Sequence, residues 1–233
     1  MRFSVLSVAI SSWLVAGSCG GEEIPVTYRG TYPFSPNEQA SIQRVADLAV
    51  RDARTLLPGL PPAFGLIVNT GKDVIPETGE TGSVSLPSGI YWTIDPDRPG
   101  GVMGIVDHTL RPSVFHELAH MMRQAHASPG RTLADQAIDE GLATVFERKS
   151  GTAYSPWADY PVNVGEWTQE FLALPAGAPR DHWMKMHPDG RRWIGYKVGT
   201  SLVERAMRAT GRTVEELMAL PTREIVGAAL RTP

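Results

Sequence analysis

His116-Glu117-Leu118-Ala119-His120 sets two imidazoles four residues apart, with a carboxylate directly after the first. On a helix, residues four apart share a face, one turn above the other. Both rings can therefore aim a nitrogen at one ion. Imidazole nitrogen is a good zinc donor, and a carboxylate beside the first donor can work on a water held there. This HExxH spacing is the minimal set for zinc-assisted hydrolysis. Two histidines do not close such a site. A third protein donor is expected, with the fourth position left for water or substrate.

Two residues compete for that place. His126 stands where the last histidine of HExxHxxGxxH falls, the metzincin pattern. That pattern needs glycine where this chain has Arg123, because the helix must end there in a turn that glycine tolerates. If the helix instead runs on through 126, His126 is about 1000° of rotation from His116, roughly 80° off its face and some 15 Å along the axis. The second candidate is Glu140, in Ile138-Asp139-Glu140-Gly141-Leu142-Ala143. It lies in a second helical pattern, and a turn at 128–130 would fold that helix back against the first. A carboxylate there completes a His₂Glu site.

The elements that must position these residues follow from periodicity and punctuation. Thr109 is a fitting N-cap for the HExxH helix, with Pro112 in its first turn and Leu110, Val114, Leu118 and Met121/Met122 at helical spacing. Upstream, Ser35-Pro36-Asn37-Glu38 reads as a capping box opening a helix that stops at Pro58. Between 60 and 106, Phe64–Val68, Gly82–Leu86, Gly89–Ile94 and Val102–Val106 are short apolar or β-branched runs parted by Gly, Pro and Asp, and predict a small sheet. Helices are expected at 109–127, 130–149, 163–173, 193–210, 213–220 and 222–230, with a capping box at Thr213–Glu216 and Gly211 as a stop. Strands first and helices after give an α+β fold. A small N-terminal sheet is expected to pack on a mostly helical domain, zincin-like by the resemblance of its HExxH helix.

A length of 233 residues suits one domain with a sizeable core. A net charge of −3 with both signs interspersed carries no nucleic-acid signal. Arg2, the apolar stretch Val5 to Val15 and the small residues Ala16-Gly17-Ser18 before Cys19 form a targeting segment. Cys19 is the only cysteine in the chain. The segment is similar to the lipobox of bacterial lipoproteins, in which that cysteine is lipid-modified. The apolar run is shorter than the ~20 residues of a membrane span. The organisation expected is a signal peptide over 1–18, a tether over 19–35 and a metallopeptidase domain over 36–233. The lipobox resemblance implies an exported protein lipid-anchored through Cys19 to the bacterial cell envelope; an ordinary secretory signal cleaved nearby, with Cys19 incidental, is the alternative.

HELAH with DEGLA nineteen residues later resembles the gluzincin metallopeptidases, whose third ligand is a Glu on the next helix. More narrowly, the chain resembles a bacterial family of predicted zinc-dependent proteases, from about Ile90 to the C-terminus, through HELAHMMR, DEGLA and Arg192–Gly199. The resemblance implies His116, His120 and Glu140 as zinc ligands and Glu117 as general base. Arg123 is expected after the second histidine in that family. The GxMEN-type segment of gluzincin aminopeptidases is absent, so an aminopeptidase reading has no support.

Peptide hydrolysis also needs a donor for the oxyanion, typically Tyr or His. Tyr196 is the first choice, since Gly195-Tyr196 opens a helix in the resembling stretch, with His187 and His182 behind it. Asp139 or Asp135 would orient a ligand histidine or pair with Arg123. Trp157, Trp167, Trp183 and Trp193 would line a cleft or, more commonly, the core. Gly89–Ile94 is the edge strand expected to pair with an extended substrate. A zinc endopeptidase acting on peptide or protein is the leading expectation. A non-catalytic zinc-containing binding lipoprotein and a hydrolase of non-peptide amide bonds are the alternatives.

Overall fold

In the computed structural model, which describes residues 23–87, 89–126, 132–151 and 155–231, Ser35 opens helix α1 (Pro36–Leu56) with a complete capping box. The Glu38 N–H donates to Ser35 Oγ at 3.3 Å and the Ser35 N–H donates to Glu38 Oε2 at 2.7 Å. Such caps contribute about 1 kcal/mol. Cys19 with its targeting segment, and the turn expected at 128–130, lie outside the described residues. Among those residues no helix is long and apolar enough to cross a membrane.

The sheet has four strands, β1 (Val26–Tyr28), β2 (Gly65–Thr70), β3 (Glu80–Ser85) and β4 (Gly89–Ile94), in the order β1-β2-β4-β3. β1, β2 and β4 run parallel; β3 is antiparallel to β4, with Gly82 opposite Trp92. β1 lies inside the stretch expected as a tether. A strand of three residues has no measurable periodicity, and its support is non-local. It pairs with β2, and the Ile24 N–H before it donates to Asp47 Oδ1 of α1 at 3.0 Å.

Val102–Val106, expected as a strand, is helical. Helix α2 (Gly101–Ile105), a wide π-turn (Val106–Leu110) and α3 (Arg111–His126) follow one another without a break. A five-residue apolar run does not by itself separate strand from buried helix. Here Val102, Ile105, Val106 and Leu110 are all buried, which is the spacing of one helical face. Thr109 therefore caps nothing: it lies within the π-turn, and its hydroxyl donates to the Ile105 carbonyl at 2.8 Å. The wider turn lies just before Pro112, whose ring would collide with the carbonyl of a regular preceding turn.

α4 (Leu133–Glu147), α5 (Val164–Leu172), α7 (Ile194–Thr210), α8 (Val214–Leu217) and α9 (Thr222–Leu230) are helical as expected, with α6 here denoting a further short helix, Arg180–Met184, that was not expected. Thr213 and Glu216 form the anticipated capping box, and Gly211 ends α7 at φ 70°. A further box, Thr132 with Asp135, opens α4. One continuous core joins sheet and helices, so the fold is α+β with a small mixed sheet. α4 and α7 meet backbone to backbone. A Cβ on Gly199 would lie 1.7 Å from the Ala137 carbonyl oxygen, and one on Gly141 would lie 2.3 Å from the Gly199 carbonyl carbon. Only glycine at both positions permits that crossing.

Candidate metal centre and active-site cleft

α3 carries His116 and His120 one turn apart, their ring centroids 4.8 Å from each other. α4 brings Glu140 against both. Glu140 Oε2 is 3.2 Å from His116 Nε2 and 3.4 Å from His120 Nε2, and the three donor atoms lie within 4.8 Å of one another. Two imidazole nitrogens and a carboxylate oxygen, convergent and largely shielded, are a donor set suited to zinc. Burial alone would push the His116 imidazole down, but the Glu140 and Glu147 carboxylates override it and hold it well above its usual value. Burial would likewise raise Glu140, yet the two histidines hold it well below the usual carboxylate range. A cation sharing the pocket meets a carboxylate already ionised.

His116 Nδ1 faces Glu147 Oε2 at 3.0 Å, and the Ser155 hydroxyl donates to the other Glu147 oxygen. A carboxylate on Nδ1 fixes the tautomer that leaves Nε2 free as a donor. Asp139 and Asp135, the residues expected in that role, are engaged elsewhere. Asp135 caps α4. Asp139 accepts from Arg123 Nε at 2.9 Å, while Arg123 Nη1 donates to the Met218 carbonyl at 2.9 Å. Arg123 thus ties α3 to the segment between α8 and α9. Glu147 was missed in the sequence, although its signal was there: it follows Glu140 by seven residues, two turns on along the same face.

His126 is exposed at the end of α3, which runs on through it. It stands outside the donor cluster.

Glu117 projects into a cleft of about 70 Å³ that Thr78, Gly82, Ser113, Trp157 and Tyr196 help to line. It is 5% exposed, and its Oε2 has no hydrogen-bond partner among the described residues. An unpartnered buried carboxylate oxygen is costly unless water or a ligand meets it. Gly82 of β3 presses on the same side chain; a Cβ there would be 2.3 Å from Glu117 Oε1. Burial raises the Glu117 carboxyl above its ordinary value, against the lowering charges of His120 and His116.

Tyr196 enters from the first turn of α7, its ring 5.5 Å from Trp157 and 5.4 Å from Trp193. Burial first, then the charges of Glu140 and Glu117, hold its hydroxyl well above the usual value, so it stays protonated as a donor. Trp193, which precedes α7, has a left-handed backbone (φ 59°). For a bulky residue that is strained; its N–H donates to the Lys185 carbonyl at 3.0 Å. Neither His182 nor His187 lines the cleft; His187 pairs with Asp189 at 2.8 Å. Of the four tryptophans, Trp157 lines the cleft, Trp183 and Trp193 are buried, and Trp167 lies under Arg191.

β4 is not the edge strand expected beside the site. It is held between β2 and β3, and β3 is the edge strand on that side. β3 also carries Glu80, a second buried carboxyl unforeseen from sequence. Glu80 Oε2 accepts from Trp92 Nε1 at 2.9 Å, and burial pushes the group up to about 7 against hydrogen bonds from Ser113 and Trp92.

No curated protein and no solved structure matches the chain. Residues 43–227 match the family model described as Predicted Zn-dependent protease (DUF2268), a span that takes in both histidines, Glu117, Glu140 and Tyr196. With well over half of its length matched, the chain belongs to this family of predicted Zn-dependent proteases.

Proposed function

We propose that this protein is a zinc peptidase of gluzincin type acting within peptide chains. His116, His120 and Glu140 are its metal ligands and Glu117 is its general base. The observation that carries this reading is the unpartnered, buried Glu117 oxygen beside a convergent His-His-Glu donor set. Zinc, when bound, polarises the scissile carbonyl and makes water a nucleophile near neutral pH. Glu117 takes the proton from the attacking water and passes it to the departing amine. The Tyr196 hydroxyl donates to the carbonyl oxygen as negative charge develops there. Glu147 keeps the His116 ring turned toward the ligand position. An extended peptide pairs with β3 from Gly82 onward, past Glu80, whose carbonyl accepts from the Ile75 N–H, and Gly82 lets backbone approach Glu117. Among the described residues no Lys or Arg lines the cleft to anchor a terminal carboxylate, which favours internal bonds over removal of C-terminal residues.

The test is metal content and proteolysis of the wild type and Glu117→Gln. We expect both to bind one zinc per chain and the variant to lose about 10²–10⁴-fold in kcat. A wild type that takes up no zinc at micromolar metal, or a variant of equal activity, would falsify the reading. We further propose export and lipid anchoring through Cys19, supported by the targeting segment before it. Cys19→Ser should move the protein from the membrane fraction to the soluble one.

A further inference from the structure

The cleft beside the metal centre has a volume of about 70 Å³, room for roughly two waters at their liquid volume. Sites that take up small molecules usually offer ~300–1,000 Å³. An extended peptide cannot enter unless the walls part, and contacts at the rim hold those walls together.

One wall is the segment 75–79 that leads into β3, from which Ile75 and Thr78 line the cleft. It is fastened to the sheet. The Ile75 N–H donates to the Glu80 carbonyl at 3.0 Å, and the Asp95 N–H donates to the Gly79 carbonyl at 3.0 Å. Arg98 donates to the Pro76 and Glu77 carbonyls. The opposite wall is Trp157 and Tyr196, both in ring contact with Trp193. This wall is tied to the chain before it, where the Trp193 N–H donates to the Lys185 carbonyl and Met186 forms a backbone bridge with Arg192.

One ion pair joins the two walls. Glu77, between Ile75 and Thr78, meets Arg192, next to Trp193, with both carboxylate oxygens on the two terminal guanidinium nitrogens. The guanidinium also lies over the Trp193 ring, 5.1 Å from its centroid. The side chains of Arg192 and Glu77 are 35% and 29% exposed, so the pair is partly solvated. Such pairs hold weakly and are screened by salt, which suits a closure that must open at each turnover. Behind it, Trp157 Nε1, Trp193 Nε1 and Arg192 Nε are buried with no hydrogen-bond partner among the described residues. Sealing donors away from acceptors is unfavourable. The closed form is therefore held against a standing cost that parting the walls relieves.

We infer that the Glu77–Arg192 pair is a latch that closes the cleft over the metal centre, and that an extended peptide enters when it opens. The role in substrate entry rests on the peptidase reading above; the closure itself does not.

The full chain is compared with Glu77→Gln, Arg192→Gln and the reversed pair, Glu77→Arg with Arg192→Glu. Amide hydrogen exchange over 74–82 and 190–199 is followed by mass spectrometry, and kcat/KM for casein is measured on zinc-loaded protein. Each single variant should speed exchange in both stretches by about two- to fivefold, the factor an exposed pair is worth, and raise kcat/KM through KM. The reversed pair should restore wild-type values. In about 0.5 M salt the wild type should approach the single variants, which should themselves change little. Single variants that exchange like the wild type overturn the latch, as does faster exchange that the reversed pair leaves uncorrected. Corrected exchange with kcat/KM unmoved overturns the role in entry. Corrected exchange in a protein that cleaves nothing upholds the latch and overturns the peptidase reading. Should Arg192→Gln fail to fold because it uncovers Trp193, Glu77→Gln and the salt titration decide between the same outcomes.

Discussion

Glu147 belongs to no motif, yet its carboxylate decides which nitrogen of His116 faces Glu140. Groups of this kind typically carry 10–100-fold of metal affinity. Glu147→Gln should therefore weaken zinc binding by about that factor while zinc-saturated protein keeps most of its activity, as competition with a chromogenic chelator would measure. Unchanged affinity would reduce Glu147 to a packing residue. Glu80 gives a second prediction at this scale. Its folded-state value of about 7 lies above the ordinary carboxylate value of ~4.3. Folded protein thus holds a proton that unfolded chain has released. The stability tied to it is full below about pH 4 and is withdrawn as pH rises through 7, by up to roughly 4 kcal/mol. In urea titrations the wild type should lose about 1–3 kcal/mol between pH 5 and 8 that Glu80→Gln does not lose. Parallel pH curves would contradict the assignment.

Among the elements, the α4–α7 crossing sets the distance between Glu140 and Tyr196. Gly199 is one turn from Tyr196, and Gly141 adjoins Glu140. The approach is backbone on backbone, so an added methyl cannot be absorbed by a side-chain rotation. Gly199→Ala should destabilise the fold by about 2–3 kcal/mol and depress activity although it removes no reacting group. Denaturant unfolding with an activity assay on the folded fraction checks it, and a variant of wild-type stability would mean the helices separate freely. Helix continuity is also decided here. α3 runs unbroken through Arg123, whose guanidinium is bound to Asp139 and to the chain after α8, and this carries His126 away from the donor cluster. Arginine in place of the metzincin glycine already pointed that way. The π-turn before Pro112 had no such marker, because a short apolar run fits strand and helix equally.

For the molecule as a whole, the candidate metal centre joins α3, which packs on β3 and β4, to α4, which packs on α7. An ion bound by the folded state alone stabilises it by about 4 kcal/mol at a thousandfold excess over Kd. A domain of this size gains roughly 2–4 °C per kcal/mol. Chelation should thus lower Tm by on the order of 10 °C, reversed by stoichiometric zinc, when followed by circular dichroism. An unchanged Tm would show that no tightly held ion contributes to the fold.

Membership among predicted Zn-dependent proteases, the α+β order of strands before helices, and the caps of α1 and α8 were legible in the amino-acid sequence. They depend on residues near one another along the chain: HExxH on one helical turn, Ser35 with Glu38, Thr213 with Glu216. Glu140 was legible at longer range because it sits in its own helical pattern. Tertiary structure alone decided which strand is the edge, that Glu147 turns to His116 while Asp139 turns to Arg123, and that Glu80 enters the cleft. Those outcomes depend on strand order and on a glycine-to-glycine helix crossing. A buried carboxyl looks like any surface glutamate until the elements that bury it are in place.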